Sequence, residues 1–206
     1  MLEGLDEALK DHARTDVDVG DLLREAGLFP TSSKGLPPFV SLNTYATILE
    51  RASSKSCESC FGLRFANVYP IGASGVLGSL LQHVPDLKTM VDCIARYVCL
   101  QIDNVEIAHY QEGGNACLEL RFGPDLTVPH KQLTEFLLAL FVDRVRRLVG
   151  TEWMPTLVEV RYPDPRTDPR CRDAYRRIFG PNIAFGAARD AIIVDSASLE
   201  RKVLRA

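Results

Sequence analysis

An α+β fold, with helices first and then a mixed half of helices and antiparallel strands, follows from three features of the sequence. Most of residues 2–100 carry apolar side chains at helical spacing. Residues 105–122 switch to strict alternation around Gly113-Gly114. Residues 129–149 form the longest helical stretch, and short strand and helix segments follow it. With 206 residues the chain is expected to form one domain, 1–206, able to bury its own core. No internal repeat or low-complexity segment is visible.

Leu2, Leu5, Leu9 and Ala13 predict a first amphipathic helix over 2–13. Asp18 is a natural N-cap for a second, closed by Gly27. The turn-rich stretch 29–38 reads as a loop. Ser41 caps a third helix whose buried stripe is Leu42, Tyr45, Ile48, Leu49 and Ala52. The polar run SSKSCES is expected to loop out, and CFGLRFANVY to form a short helix. GASGVLGSLLQHV reads as one helix with small residues at Gly75, Gly78 and Ser79 for close packing. Pro85 ends it. Asp86 starts the next helix, LKTMVDCIARYVCL, with Met90, Ile94, Tyr97 and Val98 on one face.

Val105, Ile107 and His109 alternate with Glu106, Ala108 and Tyr110, and Ala116, Leu118, Leu120 and Phe122 alternate on the return strand. A two-residue turn at Gly113-Gly114 sets His109 opposite Leu118, Ile107 opposite Leu120 and Val105 opposite Phe122. On the other face Glu106 meets Arg121, so both faces agree with one register. The helix over 129–149 has Pro129 near its start and Gly150 past its end. Leu133, Phe136, Leu137, Leu140, Phe141, Val145 and Leu148 make it the central one. A strand (157–162), a helix (170–179), two short strands (182–185, 191–194) and a final helix from Ser196 complete the order.

Net charge is −3, with an acidic excess in residues 1–60 and a basic excess in 161–206. That balance argues against the chain gripping nucleic acid alone. The acidic N-terminus lacks the apolar core of a secretory signal, and no window reaches the roughly 20 apolar residues of a membrane span. A cytoplasmic location is expected, with six reduced cysteines and no disulfide frame.

Several strings in a fixed order carry a family likeness. GDLLREAGL (20–28), FGL (61–63), GVLGSLL (75–81) and LKTMVDCIARYVCL (87–100) precede the hairpin. The late segment YRRIFGPNIAFGAARDAIIVDSASL supplies Tyr175, Phe179, Phe185, Gly186, Ile193, Asp195 and Leu199. Together, over roughly 18–200, the chain resembles the N-terminal, arabinose-binding-like domain of AraC-type transcription regulators, as in ornithine-utilisation regulators. The resemblance implies a bacterial effector-sensing domain that homodimerises. It also implies DNA binding only through a C-terminal pair of helix-turn-helix units, a pattern not read in residues 1–206. Effector identity does not carry over, because members answer to different effectors.

No Gly-rich phosphate loop, nucleophile elbow or HExxH is present, so no catalytic residue and no enzyme activity are expected. Cys57-x-x-Cys60 lacks the second pair that a structural zinc site needs, so neither metal nor cofactor is expected. A small-molecule effector is expected between the central helices and the sheet. Candidate contacts are His83, Tyr97, Gln101, His109, Tyr110 and Arg121. Two have plainer readings: His109 as a hydrogen-bonded core histidine, and Arg121 as a surface partner of Glu106. Arg144, Arg146 and Arg147 are explained by the dipole at a helix C-terminus.

Overall fold

The computed structural model describes residues 2–10, 17–28 and 40–203. Four helices open the order: α1 (Leu5–Lys10), α2 (Val19–Glu25), α3 (Leu42–Lys55) and α4 (Phe61–Val68). A 3-10 turn at Ile71–Ser74 leads into α5 (Gly75–Leu81). Then come α6 (Leu87–Tyr97) and a second 3-10 turn at Val98–Leu100. The hairpin is β1 (Val105–Glu112) and β2 (Asn115–Phe122), and α7 (Lys131–Val149) follows. β3 (Leu157–Val160), α8 (Pro169–Phe179), β4 (Ile183–Phe185), β5 (Asp190–Asp195) and α9 (Ser196–Leu199) close the order.

The expected caps are in place. Asp18, Ser41 and Asp86 accept from the backbone N–H three residues on, at 3.1, 3.1 and 2.8 Å. Each satisfies a donor that the helix itself leaves free. The sheet runs β1-β2-β5-β3-β4. The hairpin has the register set by its alternation, with Val105 opposite Phe122, Ile107 opposite Leu120 and His109 opposite Leu118. The sheet is antiparallel except for β3 and β4, which run parallel. The helix α8 lies between those two strands and returns the chain to the same end, which a parallel pair requires.

Three local expectations are corrected. The segment SSKSCES does not loop out as a whole, because α3 continues to Lys55. Its serines are absorbed by donating to carbonyls: Ser53 Oγ to Glu58 O and Ser56 Oγ to Ala52 O, both at 2.7 Å. The helix expected over GASGVLGSLLQHV is broken at Gly75, whose φ of 54° lies in the left-handed region. The helix before the hairpin ends at Tyr97, three residues early. The N-terminal helix is seen over Leu5–Lys10; the remainder of that expectation, and the loop at 29–38, fall wholly or largely outside the described residues.

Buried side chains from Leu5 in α1 to Leu199 in α9 form one continuous cluster that joins the helices to the sheet. Its centre is α7, packed on α3, α4, α6 and α8. Phe136 stacks on Phe65 at 4.8 Å and meets Tyr69 edge-on at 5.1 Å. Where α4 crosses α7, Gly62 lies directly on the Gln132 carbonyl, and a Cβ there would overlap it.

Candidate functional site

α7 has two faces with different fates. Gln132, Glu135, Ala139 and Val142 are fully buried, and at Gln132 and Glu135 the helix meets α4. Leu137, Leu140, Phe141 and Arg144 fall at i, i+3, i+4 and i+7, one stripe of the opposite side. That stripe lines a cavity of about 120 Å³. Leu77 and Leu81 of α5, Ile94 of α6, and Val105, Ile107, Leu118 and Leu120 of the hairpin complete most of the wall. The alternation of β1 and β2 explains why: one face of each strand is apolar, and that face looks inward.

The polar side chains of the wall are Tyr69, Ser74, Gln101 and Arg144, and they meet around residues 73–75. The Tyr69 hydroxyl donates to Ala73 O at 3.0 Å. The Arg144 guanidinium donates to Pro70 O at 3.3 Å and to Ser74 Oγ at 3.4 Å. Gln101, just past the 3-10 turn that follows α6, lies so close that a Cβ on Gly75 would stand 2.8 Å from its Oε1. Gly75 is thus required both by its positive φ and by the approach of Gln101. Burial raises the Tyr69 pKa to about 12, so it stays a neutral phenol.

Of the six residues singled out from sequence, Gln101 lines this cavity and the other five do not. His83 is exposed, its Nδ1 2.9 Å from Ser79 O. Tyr97 is half-buried near the end of α6. His109 points to the inner face, as its alternation required, but its Nδ1 lies 3.2 Å from Asp92 Oδ1. Tyr110 and Arg121 sit on the opposite face of the sheet. There the Tyr110 hydroxyl donates to Glu119 at 3.0 Å and accepts from Arg189 at 2.8 Å. Arg121 pairs with Glu119 at 2.8 Å and more loosely with Glu106, at 3.8 Å.

Tyr69, Ser74 and Arg144 are the polar wall residues that sequence reading did not single out as contacts. Arg146 and Arg147 lie in the last turn of α7, where the helix dipole favours cations, and each also has its own partner. Arg146 donates to Trp153 O and Ile178 O at 2.9 and 2.7 Å, and Arg147 pairs with Asp143 at 2.8 Å. Arg144 is only 8% exposed. Its position at i+7 on an otherwise apolar stripe was the available signal.

Elsewhere, an open groove near α4 and α8 mixes Arg64, Arg170 and Arg177 with Glu7 and Glu58, a balance that favours no one ligand charge. The six cysteines are free thiols. Among the described residues no group of three or more His, Cys, Asp or Glu could hold a metal ion. No helix among them is long and apolar enough to cross a membrane.

Comparison with known proteins gives the same answer as the fold. Residues 17–203 match the family described as "Arabinose-binding domain of AraC transcription regulator, N-term". No curated protein matches the sequence. Among solved structures, the transcriptional regulator CdpR from Pseudomonas aeruginosa superposes with a TM-score of 0.60 at 15% identity, over 90% of this chain. The chain spans 56% of that protein's length. The matching family is one of transcription regulators and not of enzymes. From the match over nearly its whole length, the chain belongs to the N-terminal arabinose-binding domains of AraC transcription regulators.

Proposed function

We propose that this chain is the effector-sensing domain of a bacterial transcription regulator, and that the cavity between the hairpin and α5–α7 receives the effector. The observation that carries the reading is the cavity itself: apolar over most of its wall, with polar groups gathered at one end. Small-molecule sites are commonly built this way. In this reading residues 1–206 act as one sensing unit, homodimeric and cytoplasmic, attached in the whole regulator to a DNA-binding domain. The effector binds one conformation better than another and so shifts their populations.

The family's name does not make arabinose the ligand. A pentose needs hydrogen-bond partners around its whole ring, and burying hydroxyls against leucines and phenylalanines is unfavourable. The wall has polar side chains at one end only.

A thermal-shift screen of the chain against sugars, amino acids, fatty acids and aromatic acids tests the proposal. A ligand at 100 times its Kd adds about 2.7 kcal/mol of stability. A saturable rise with one class is the expected result. A flat response from a chain that melts cooperatively would favour a second reading, a dimerisation module without an effector. That reading draws on the exposed apolar side chains of Val76, Leu80 and Leu100, which are 84%, 40% and 80% accessible.

A further inference from the structure

The polar end of the cavity carries a charge that the protein meets only in part. Arg144 donates through one terminal nitrogen to Asp143 Oδ2 at 2.9 Å, and through the other to Pro70 O and Ser74 Oγ. Its Nε is buried and has no partner. The Asp143 carboxylate is shared, because Arg147 Nε reaches the same oxygen at 2.8 Å. Two guanidiniums thus face one carboxylate, leaving one positive charge in excess. Burial draws the Arg144 pKa below the usual guanidinium value, and Asp143 only partly offsets it. A buried charge in this state is stabilised by an anion and left unmet by a neutral molecule.

Size narrows the choice further. At about 10–15 Å³ of such space per water-sized atom, the cavity takes roughly eight to twelve non-hydrogen atoms. Around the charge stand neutral groups suited to a carboxylate rim: the Ser74 hydroxyl and the Gln101 amide. The remaining wall is aliphatic or aromatic.

We propose that the effector is a small monocarboxylate with a compact apolar body, its carboxylate held by Arg144 and its hydrocarbon packed on Leu137, Phe141, Ile107 and Leu120. This rests on reading the cavity as the effector site. One negative charge matches the excess. The unpartnered Arg144 Nε–H can donate a charge-assisted hydrogen bond to one carboxylate oxygen.

The test titrates the full chain with octanoate and phenylpropanoate, each beside its primary amide and its amine. The expected result is that a carboxylate binds at least about tenfold more tightly than its amide. Arg144→Gln should abolish that preference, and Arg144→Lys should keep part of it. A merely structural role for Arg144 would weaken acid and amide alike and leave their ratio unchanged. The acid-to-amide ratio of the unaltered chain stands as a readout even if Arg144→Gln fails to fold. Amide or amine binding as tight as the acid overturns the carboxylate class while leaving the effector reading intact. Silence of both carboxylates overturns the class as well. The effector reading falls with it only if the broader screen is also flat.

Discussion

Glu135 is the most deeply buried charge of the described core, with its side chain fully enclosed. The Tyr175 hydroxyl donates to it, Lys131 Nζ lies 3.0 Å away, and the Tyr162 hydroxyl stands 3.0 Å behind that of Tyr175. Burial pushes its pKa up to about 7 from 4.5, against the pull of Lys131. Because the folded value is the higher one, the native state binds the proton more tightly. Its contribution is complete below about pH 4.5 and is lost as pH rises through about 7, a span of about 3 kcal/mol. Denaturant melts should therefore show this stability falling between about pH 5 and pH 8, and Glu135→Gln should flatten that part of the profile. A variant with the parent's slope would place the titration elsewhere. Sequence reading did not mark Glu135, and it gave Arg144 to the helix dipole. Both lie on a helix that reads as apolar, and a charge is judged surface-bound until its neighbours in space are known. Gln101 was singled out with His83 and Tyr97 because they flank the helix pair before the hairpin, and of the three it lines the cavity.

Elements were legible where their pattern is local. The hairpin register followed from alternation plus one Gly-Gly turn, since a slip of one residue would turn every apolar side chain outward. The caps followed from single side chains answering backbone donors nearby. The pairing of β3 with β4 was not legible, because it depends on α8 carrying the chain back across the sheet. Nor was the contact of α4 with α7 at Gly62, where residues 70 positions apart touch and the Gly62 N–H donates to Gln132 Oε1 at 2.8 Å. Gly62→Ala would drive a methyl group into the Gln132 backbone oxygen and the Glu135 Cβ. Overpacking of this kind costs about 1–3 kcal/mol, and the helix propensity of alanine returns less than that. The melting midpoint should fall. An unchanged midpoint would mean that α4 can retreat from α7 at little cost.

At the scale of the molecule, the cavity is a space that a folded core would ordinarily fill. Ile107→Phe extends a side chain into it from β1 and leaves Arg144 untouched. The melting temperature should stay within a few degrees of the parent, because space is available, while any ligand-induced rise disappears. A rise that survives the substitution would put the ligand in another place. The α+β order was readable from the change in periodicity near residue 105. A site between the central helices and the sheet was expected, but the wall of the cavity was not readable, because it arises where several separate segments fail to close on one another, and no one of them records it.

α7 stands between two neighbours of very different stiffness. On the α4 side, Gly62 leaves no slack, and a close-packed contact resists compression. On the other side lies open volume bounded by soft aliphatic side chains. The helix is therefore a beam against a wall with a cushion in front of it: it can yield toward the hairpin but not away from it. The same beam grips the end of α8 through Arg146. Displacement of α7 at the cushion would act on α8 through that contact.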